Sequence, residues 1–402
     1  MSQIEVKDVR AAMEHACHWL VDIAQIQTDE LPADTDNRQG LPYESWRGSI
    51  RGEYSAADKT WWSFCPIWHT GQAVRALTLA SQVLGQDKWL TGAKLAAEFI
   101  YTNQIFDESN PSHGLILAYE DNPTMVNTSA VMECMEGLMQ LANAENDSAA
   151  WDRIIAAGDF LVEKMFMPEV GLFRDVYDPA SHSVLLPNPY RSKDDLGGRP
   201  LIDDGVLVRL YERTKDRKFL DAHLKISDRL VADQRPKGNW IDYGPCHAAE
   251  GRFHPRHTYW WGKPLLDSYH ATGDARYLET AIASGEFTAR AMRRDGGYIR
   301  NTFTDFNTDS FGHVTSGSAC AAILFLSLFR ETKESKWMEF AERAISFCMN
   351  MQLIDVQDRN LEGVILEKVL PPVNHTDASP YYIRDVGTIF FVTAAAEYLK
   401  AV

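Results

Sequence analysis

The 402-residue sequence contains no run of about 18 apolar residues, which is roughly the least that a membrane-spanning helix needs. We therefore expect no membrane partner. The N-terminal residues lack a basic stretch followed by an apolar one, so no secretory signal is visible and a cytoplasmic location is expected. The six cysteines lie singly, without paired spacing, and this pattern favours buried free thiols over disulfides.

Basic residues are scarce as well. The chain has 40 Lys and Arg against 56 Asp and Glu, a formal net charge of −16, and nucleic-acid binding draws on a basic surface. We therefore expect no nucleic-acid partner. A local cluster of arginine and histidine can nevertheless bind an anionic small substrate on an acidic protein.

Motifs for cofactors and metals are also missing. The sequence has no GxSxG, Walker A or GxGxxG motif and neither CxxC nor HExxH, so nucleotide use, serine-hydrolase chemistry and common zinc sites have no support. Cys246 and His247 are a possible ligand pair, and so are His254 and His257, although Pro255 lies between the latter two. We expect no metal and no cofactor.

A short polar link followed by a bulky apolar anchor occurs five times in the chain. The anchors are spaced roughly 60 residues apart, a period typical of stacked helical hairpins. They are Trp89, Trp151, Phe219, Tyr277 and Trp337. The repeat favours one domain over several.

Helical periodicity on both sides of each link predicts five hairpins. The first members are predicted at 67–84, 126–144, 203–214, 257–272 and 316–332. The second members are predicted at 88–104, 148–166, 216–234, 274–292 and 334–352. Helices at about 6–26 and 386–400 supply a sixth pair. We predict an all-α fold, an (α/α)6 toroid formed by residues 1–402 as a single domain, with six inner and six outer helices.

The segments that lead into the inner helices are much longer than the links within the hairpins. They are predicted at 27–66, 105–125, 167–202, 235–256, 293–315 and 353–385. Loops of this length in a compact domain are usually functional or disordered, and these are rich in tryptophan, tyrosine and histidine. We expect them to form short β-hairpins and a sugar-binding pocket at one rim.

The strongest candidate segment is residues 238–261, because indole rings stack on sugars whereas arginine and histidine pair with carboxylates. The alternative is a rigid aromatic loop that seals the ring. The candidate residues in this segment are Trp240, Asp242, Tyr243, His247, Arg256, His257, Trp260 and Trp261.

Asp203 and Asp204 stand at the start of the third inner helix. An acid in this position can cap the helix, but two adjacent acids cannot both serve one cap and point the same way. We therefore expect one of them to face the pore, with Asp203 preferred as proton donor or acceptor. That role requires a partly desolvated pocket that raises its pKa.

Further candidates surround the same rim. Asp309 and His313 precede the fifth inner helix, where a capping network is an equal alternative to substrate binding. The remaining candidates are His69, Asn127, Tyr43, Trp46, Arg47, Tyr381, Tyr382, Arg384 and Asp385.

The stretch from Leu201 to Leu207, with its acid pair at the start of an inner helix, resembles the (α/α)6-barrel carbohydrate-active enzymes, especially the unsaturated glucuronyl and rhamnogalacturonyl hydrolases. The resemblance implies hydrolysis of a uronic-acid-containing oligosaccharide. Asp203 would act as general acid or base, and Arg and His residues would bind the carboxylate of the substrate. The second inner helix departs from the pattern, because Asn127 stands there without a neighbouring acid.

Three other functions are compatible with the sequence. In a uronate lyase, Asn127 or an arginine would neutralise the carboxylate and Tyr243 or His257 would abstract the C5 proton. A sugar epimerase of the acylglucosamine type would use paired histidines, and a glycan-binding protein would need no titratable cluster. The predicted partner is an anionic oligosaccharide, and a homodimer is compatible with the sequence.

Overall fold

A computed structural model describes residues 4–120, 122–185, 198–310, 312–369 and 381–402. Parts of the loops predicted at 167–202 and 353–385 lie outside these residues. The described chain contains twelve α-helices: α1 Val6–His18, α2 Pro66–Leu84, α3 Asp87–Thr102, α4 Thr128–Glu145, α5 Ser148–Phe160, α6 Val206–Thr214, α7 Arg217–Asp233, α8 Pro264–Thr272, α9 Ala275–Ala291, α10 Thr315–Thr332, α11 Ser335–Asn350 and α12 Asp385–Ala401.

Even-numbered and odd-numbered helices differ in how they are buried. Residues 66–80 of α2 are buried without interruption, and α4, α10 and α12 are similar. The odd-numbered helix α11 buries a single stripe of residues, which is typical of a helix with one face in solvent. Helices α2, α4, α10 and α12 are therefore inner helices, as the sequence predicted. The shorter helices α6 and α8 are buried over only part of their length, and they continue this layer through the contacts of α6 with α4 and α8.

The five short links have the local chemistry of helix ends. The helix before each link stops at a residue in the left-handed conformation, which closes the last turn. These residues are Gly85, Asn146, Lys215, Gly273 and Lys333. Aspartate side chains then cap the next helix at α5, α7 and α9, where they accept a hydrogen bond from an unpaired backbone N–H.

Two inner helices begin less regularly than predicted. A 3₁₀ turn, Asp203–Gly205, precedes α6, and a π-helical turn, Thr258–Gly262, precedes α8. Two more π-helical turns, Trp19–Ala24 and Leu161–Met165, continue α1 and α5. Short 3₁₀ turns occur at Ala248–Glu250 and Arg359–Leu361. The irregular turns before α6 and α8 carry residues of the predicted site.

The inner helices pack side by side. The first, α2, contacts both α4 and α12, and α12 contacts α10. The turn Asp203–Gly205 contacts α4 and α8, and the turn Thr258–Gly262 contacts α10. At the crossing of α2 and α4, a Cβ atom on Gly137 would lie 1.9 Å from the carbonyl oxygen of Gly71. The two backbones are therefore in direct contact.

Three small sheets lie in the long loops. The first contains β1 Thr35–Asp36, β3 Thr60–Trp62, β2 Glu53–Ser55, β11 Tyr381–Arg384 and β10 Lys368–Val369, in that order. The second contains β4 Val126–Asn127, β7 Val176–Asp178 and β8 Ser183–Val184. The third contains β5 Phe166–Met167, β6 Leu172–Arg174 and β9 Gly198–Arg199.

The first sheet joins the two ends of the chain. Strand β2, which precedes α2, pairs antiparallel with β11, which precedes α12, and Tyr54 lies opposite Ile383. All six cysteines are buried. Among the described helices, none has the length and apolar character needed to cross a membrane.

Candidate active site

A cavity of about 330 Å³ opens where the segments leading into the inner helices meet. Each of the six inner helices, or the segment before it, contributes at least one side chain, in the chain order Trp68, Glu133, Arg199, Arg256, Arg300 and Arg384. Phe64, Glu120, Asp242, His247 and Trp260 are among the other residues that line it. The cavity therefore combines aromatic faces, acids and arginines, which is the mixture expected of a site for an anionic sugar.

Glu133 lies in the second turn of α4 and is 5% exposed. Burial raises the pKa of its carboxyl group to about 7, and the charge of Glu120 adds to this effect. Arg256, Arg199 and a hydrogen bond from Trp260 act in the opposite direction. At neutral pH this carboxyl group is therefore poised between its two protonation states.

Asp203 begins the 3₁₀ turn and is 1% exposed. Within the described residues, neither oxygen of its carboxyl group has a side-chain hydrogen-bond partner. Burial and then the nearby charge of Glu133 raise the pKa of Asp203 well above its usual range. Two interacting buried carboxyl groups resist losing both protons, so the pair retains a proton for transfer.

Asp204 lies in a different environment from its neighbour. Its backbone adopts the left-handed conformation, with φ of 46°. Its carboxylate is ion-paired with Arg75 and lies 2.8 Å from the Lys263 ammonium group. These cations hold its pKa well below the usual range, against the effect of burial. Neither Asp203 nor Asp204 is a lining residue of the cavity. The two differ in their partners among the described residues: the ion pairs of Asp204 assign it to the packing beneath the cavity, whereas the carboxyl group of Asp203 has no such partner and interacts with the charge of Glu133, which lines the cavity.

Arg256, one of the cavity arginines, is held near two tryptophan rings. Its guanidinium carbon lies 5.2 Å from the ring centre of Trp68 and 5.2 Å from that of Trp260. Its Nε atom is buried and, among the described residues, has no hydrogen-bond partner. Cation–π contacts orient a guanidinium group without using its hydrogen-bond donors. Arg256 therefore offers donors to an anion in the cavity.

Two other arginines are tied to the cavity wall. Arg199 donates from Nε to Asp175 at 2.5 Å and from a terminal nitrogen to the Ser129 hydroxyl at 2.5 Å. Arg384 is ion-paired with Glu53, and its guanidinium carbon lies 4.1 Å from the ring centre of Phe64. These contacts place a rigid basic lining on a protein of strongly negative net charge.

The predicted residues of segment 238–261 fall into two groups. Asp242, His247, Arg256 and Trp260 line the cavity. Trp240 and Trp261 lie behind it, with ring centres 5.8 Å apart, and their indole groups donate to backbone carbonyls at Leu230 and Pro200. Some residues of this segment therefore line the cavity and others seal the wall behind it.

The two bases suggested for a lyase also lie in the wall. The Tyr243 hydroxyl donates to Asp233 at 2.5 Å and accepts from Arg229 at 2.7 Å, and burial raises its pKa. His257 lies with Nδ1 3.1 Å from the His254 carbonyl oxygen, and burial lowers its pKa to about 4. Neither residue lines the cavity.

Three predicted residues lie further from the cavity. Trp46 is buried, stacked on Phe99 with ring centres 6.4 Å apart. The next residue, Arg47, pairs with Glu98 of α3 on the exposed surface. Asn127 caps α4 by accepting hydrogen bonds from two backbone N–H groups. It also lies 3.3 Å from Arg199, so its link to the cavity is indirect.

Asp309 and His313 form no part of the cavity lining. The carboxylate of Asp309 pairs with both terminal nitrogens of Arg252, at 2.8 and 2.9 Å, in an exposed loop. The His313 ring packs on Phe347, with centres 5.2 Å apart. The side chains of Tyr381 and Tyr382, also predicted at this rim, lie outside the part of the chain that is described.

His69 forms a buried pair with Asp385, with 2.6 Å between Nδ1 and Oδ1 and both side chains fully buried. Its ring lies against Trp68, with centres 4.6 Å apart, but His69 itself is not a lining residue. The pair joins the first turn of α2 to the first residue of α12. Its position indicates support of the aromatic wall.

Sequence reasoning missed Glu133, Glu120, Arg199 and Arg300. Asn127 has no neighbouring acid, but α4 nevertheless carries one into the cavity, because Glu133 lies six residues further along the same helix. The available signal was the acid pair Glu133 and Glu136 within the otherwise apolar stretch of α4. Charged residues are almost never fully buried unless they are paired or functional.

The raised pKa of Glu133 predicts a pH-dependent stability. The folded state holds this proton up to about pH 7, whereas the unfolded chain releases it near the ordinary value of 4.5. The free energy of unfolding should therefore fall as pH rises through this window. Glu133→Gln has no proton to lose. The difference in free energy of unfolding between this variant and wild type should therefore increase, in favour of the variant, by on the order of 3 kcal/mol as pH rises through the window.

Urea unfolding of both proteins at several pH values between about 4 and 8 measures this difference. A Glu169→Gln variant, changed on the exposed surface, is the matched control and should follow the wild type. A constant difference between Glu133→Gln and wild type across the window would contradict the raised pKa.

No protein-family model and no curated protein sequence matches the chain, but solved structures do. A cellobiose 2-epimerase from Bacillus thermoamylovorans B4167 is 14% identical, with 99% of each chain covered and a TM-score of 0.69. An unsaturated glucuronyl hydrolase specific for heparin is 14% identical, with 98% of each chain covered and a TM-score of 0.69.

An unsaturated glucuronyl hydrolase from Bacillus sp. GL1, responsible for the degradation of glycosaminoglycan, is 15% identical, with 97% of this chain and 96% of that chain covered and a TM-score of 0.67. These structural neighbours are (α/α)6-barrel carbohydrate-active enzymes of two kinds, hydrolases and epimerases. The protein shares their fold over nearly its whole length.

Proposed function

We propose that the protein is a carbohydrate-processing enzyme that hydrolyses uronic-acid-containing oligosaccharides. The observation that carries this proposal is the buried acid pair Glu133 and Asp203, both with raised pKa, with the guanidinium group of Arg256 near Glu133. The acids supply a proton at neutral pH, and the arginine supplies a partner for a carboxylate.

The proposal includes a closed ring of six helix pairs, an (α/α)6 toroid formed by residues 1–402. Packing of α12 on α2 supports closure, since it joins the last inner helix to the first. The pairing of β2 with β11 joins the loops before the same two helices. A cavity lined from all six inner segments is the arrangement that such a ring produces.

Asp203 is assigned the role of proton donor. On an unsaturated uronate, its proton would pass to C4 of the vinyl ether while a water molecule attacks C5. The Asp203 carboxylate would then take the proton released by that water. The hydrated sugar opens to a ketone and releases the next sugar as an alcohol, so the acid is regenerated after each cycle.

Arg256 is assigned the substrate carboxylate, and the indole faces of Trp68 and Trp260 are assigned the sugar ring. Arg256→Gln should raise KM for a uronate substrate by roughly tenfold to a hundredfold, since a charged hydrogen bond contributes about 1.5–3 kcal/mol. Steady-state kinetics on the uronate measures this change. Arg252→Gln, outside the cavity, is the control, and an unchanged KM in Arg256→Gln would contradict the assignment.

Sugar epimerisation is the second candidate function. It is favoured by His247 in the cavity wall and by the epimerases among the structural neighbours. Paired histidines are needed for that chemistry, and the described lining residues include no second histidine beside His247. The lyase is not proposed, since Tyr243 and His257 are engaged in the wall.

Product analysis separates these functions. The protein would be incubated with an unsaturated uronate disaccharide, a saturated one and a neutral disaccharide, and the products examined by mass spectrometry and NMR. A hydrolase should split only the unsaturated disaccharide, with a gain of one water. A new stereoisomer of unchanged mass would instead establish the epimerase and overturn the hydrolase proposal.

A further inference from the structure

A cluster of buried charges lies beneath the cavity. Arg75, in the middle of α2, is 5% exposed. One of its terminal nitrogens lies 2.7 Å from Oε2 of Glu136 on α4 and also pairs with Asp204 in the turn before α6. Lys263 lies 2.8 Å from the other oxygen of Asp204. One guanidinium group thus joins two separate inner elements.

The two partners of Arg75 are close in sequence to the acid pair: one to Glu133, which lines the cavity, and one to Asp203 behind it. Glu136 follows Glu133 by three residues, about one turn of the same helix. Asp204 follows Asp203 directly. A group that fixes the distance between Glu136 and Asp204 therefore also limits the distance between the backbones that carry Glu133 and Asp203.

The surrounding backbone leaves little freedom for this arrangement. A Cβ atom on Gly137 would lie 3.0 Å from the backbone nitrogen of Arg75, so α2 and α4 are in contact where the guanidinium group begins. Gly205 has φ of +68°, and a Cβ atom there would lie 2.6 Å from Cγ of Asp267. The turn that carries Asp203 and Asp204 is thus held closely against α8.

We propose that Arg75 is a positioning residue, which holds α4 and the 203–205 turn together and so sets the separation of Glu133 and Asp203. The catalytic part of this inference depends on the proposed function, whereas the structural part does not. A guanidinium group suits this role because its planar donors can contact two carboxylates at once, and an ammonium group on a flexible stem is a poorer substitute.

Several charged groups face the cluster and the acid pair, and the test must allow for them. Glu136, Asp204, Tyr259 and Glu397 face Arg75. Arg75, Lys263, Glu136 and Arg209 face Asp204. Glu120, Arg199 and Arg256 face Glu133, whereas Glu133, Arg199 and Asp204 face Asp203. Loss of the Arg75 charge alone would raise the pKa values of nearby acids, because a cation favours the ionised form.

Arg75→Lys keeps the positive charge but weakens the bridge, so it separates position from charge. If the acids move apart, their mutual repulsion falls and the pKa of Asp203 should fall by about one unit. Titration of carboxyl groups by NMR, with ¹³C-labelled aspartate and glutamate in the full chain, measures this directly. Asp203→Asn spectra assign the Asp203 signal.

The same variant should lower kcat for the unsaturated uronate by roughly tenfold or more with little change in KM, because small misplacements of reacting groups are costly. The basic limb of the pH profile should move to lower pH. Trp337→Phe on the outer helix α11 is the control for general destabilisation and should change neither kcat nor the pH profile.

The outcomes separate this inference from the proposed function. A lower Asp203 pKa without activity in any protein supports the positioning role and contradicts the hydrolase. If folded Arg75→Lys keeps the wild-type Asp203 pKa, or if this pKa rises, the positioning role is wrong. If Arg75→Lys does not fold, Glu136→Asp weakens the same bridge by shortening the side chain while it keeps the negative charge and the pairing of Arg75 with Asp204, and it should lower the Asp203 pKa in the same way.

Discussion

Asp203→Asn should lose roughly 10²–10⁴-fold in kcat, the usual contribution of a general acid or base, and should fold as well as the wild type. The reason is that burial raises the pKa of Asp203 and so favours its neutral carboxylic acid form, which an amide of similar shape can replace without burying a new charge. Initial rates on the unsaturated uronate disaccharide and urea unfolding measure the two effects.

Full activity in Asp203→Asn would contradict the assignment of the proton donor. An equal loss of activity and stability would indicate a structural role instead. Asp305→Asn in an exposed loop is the control for the chemical change itself and should leave both quantities unchanged.

Asp204→Asn, in contrast to Asp203→Asn, should mainly lose stability, by about 3–5 kcal/mol in the free energy of unfolding. This is the usual cost of removing one partner from a buried ion pair, because Arg75 and Lys263 would lose their buried counter-charge. The pKa of Asp204 is held low in the folded state, so its stabilisation is fully present above the ordinary value of 3.8 and declines progressively as pH falls from there toward the lowered pKa.

Urea unfolding at about pH 7 and again near pH 3 tests this prediction. The gap between Asp204→Asn and wild type should be widest at neutral pH and smaller by about 1 kcal/mol near pH 3, because the unfolded chain takes up the proton from about pH 3.8 downward whereas the folded chain does so only at much lower pH. A stable Asp204→Asn protein with wild-type unfolding at neutral pH would show that the ion cluster contributes little. The two adjacent aspartates thus serve as controls for each other.

The sequence was sufficient to predict the helical pairs, because each link contains residues typical of the end of one helix and the start of the next. The left-handed residues that end the inner helices and the aspartate caps that follow are local features, readable without tertiary contacts. The position of the site followed from the same pattern, since long aromatic loops alternate with the short links. Asp242, His247, Arg256 and Trp260 were found in this way.

Which candidate residues line the cavity and which pack in the wall behind it could be assigned only from tertiary contacts. Trp240 and Trp260 are equally aromatic in sequence, but only their packing shows that the first donates to a backbone carbonyl in the wall and the second lines the cavity. The different environments of Asp203 and Asp204 arise from a left-handed backbone at a non-glycine residue. Glu133 was missed because helical periodicity alone does not reveal which buried acid faces a cavity.

The central claim is that the acid pair and Arg256 form a site for hydrating an unsaturated uronate. The most direct measurement follows the ultraviolet absorbance of the conjugated C4=C5 double bond when the wild-type protein is mixed with an unsaturated uronate disaccharide. Absorbance should fall with wild type and remain constant with Asp203→Asn. Constant absorbance with wild type at every pH tested on both sides of neutrality, where burial raises the pKa of Glu133 to about 7, would contradict the claim.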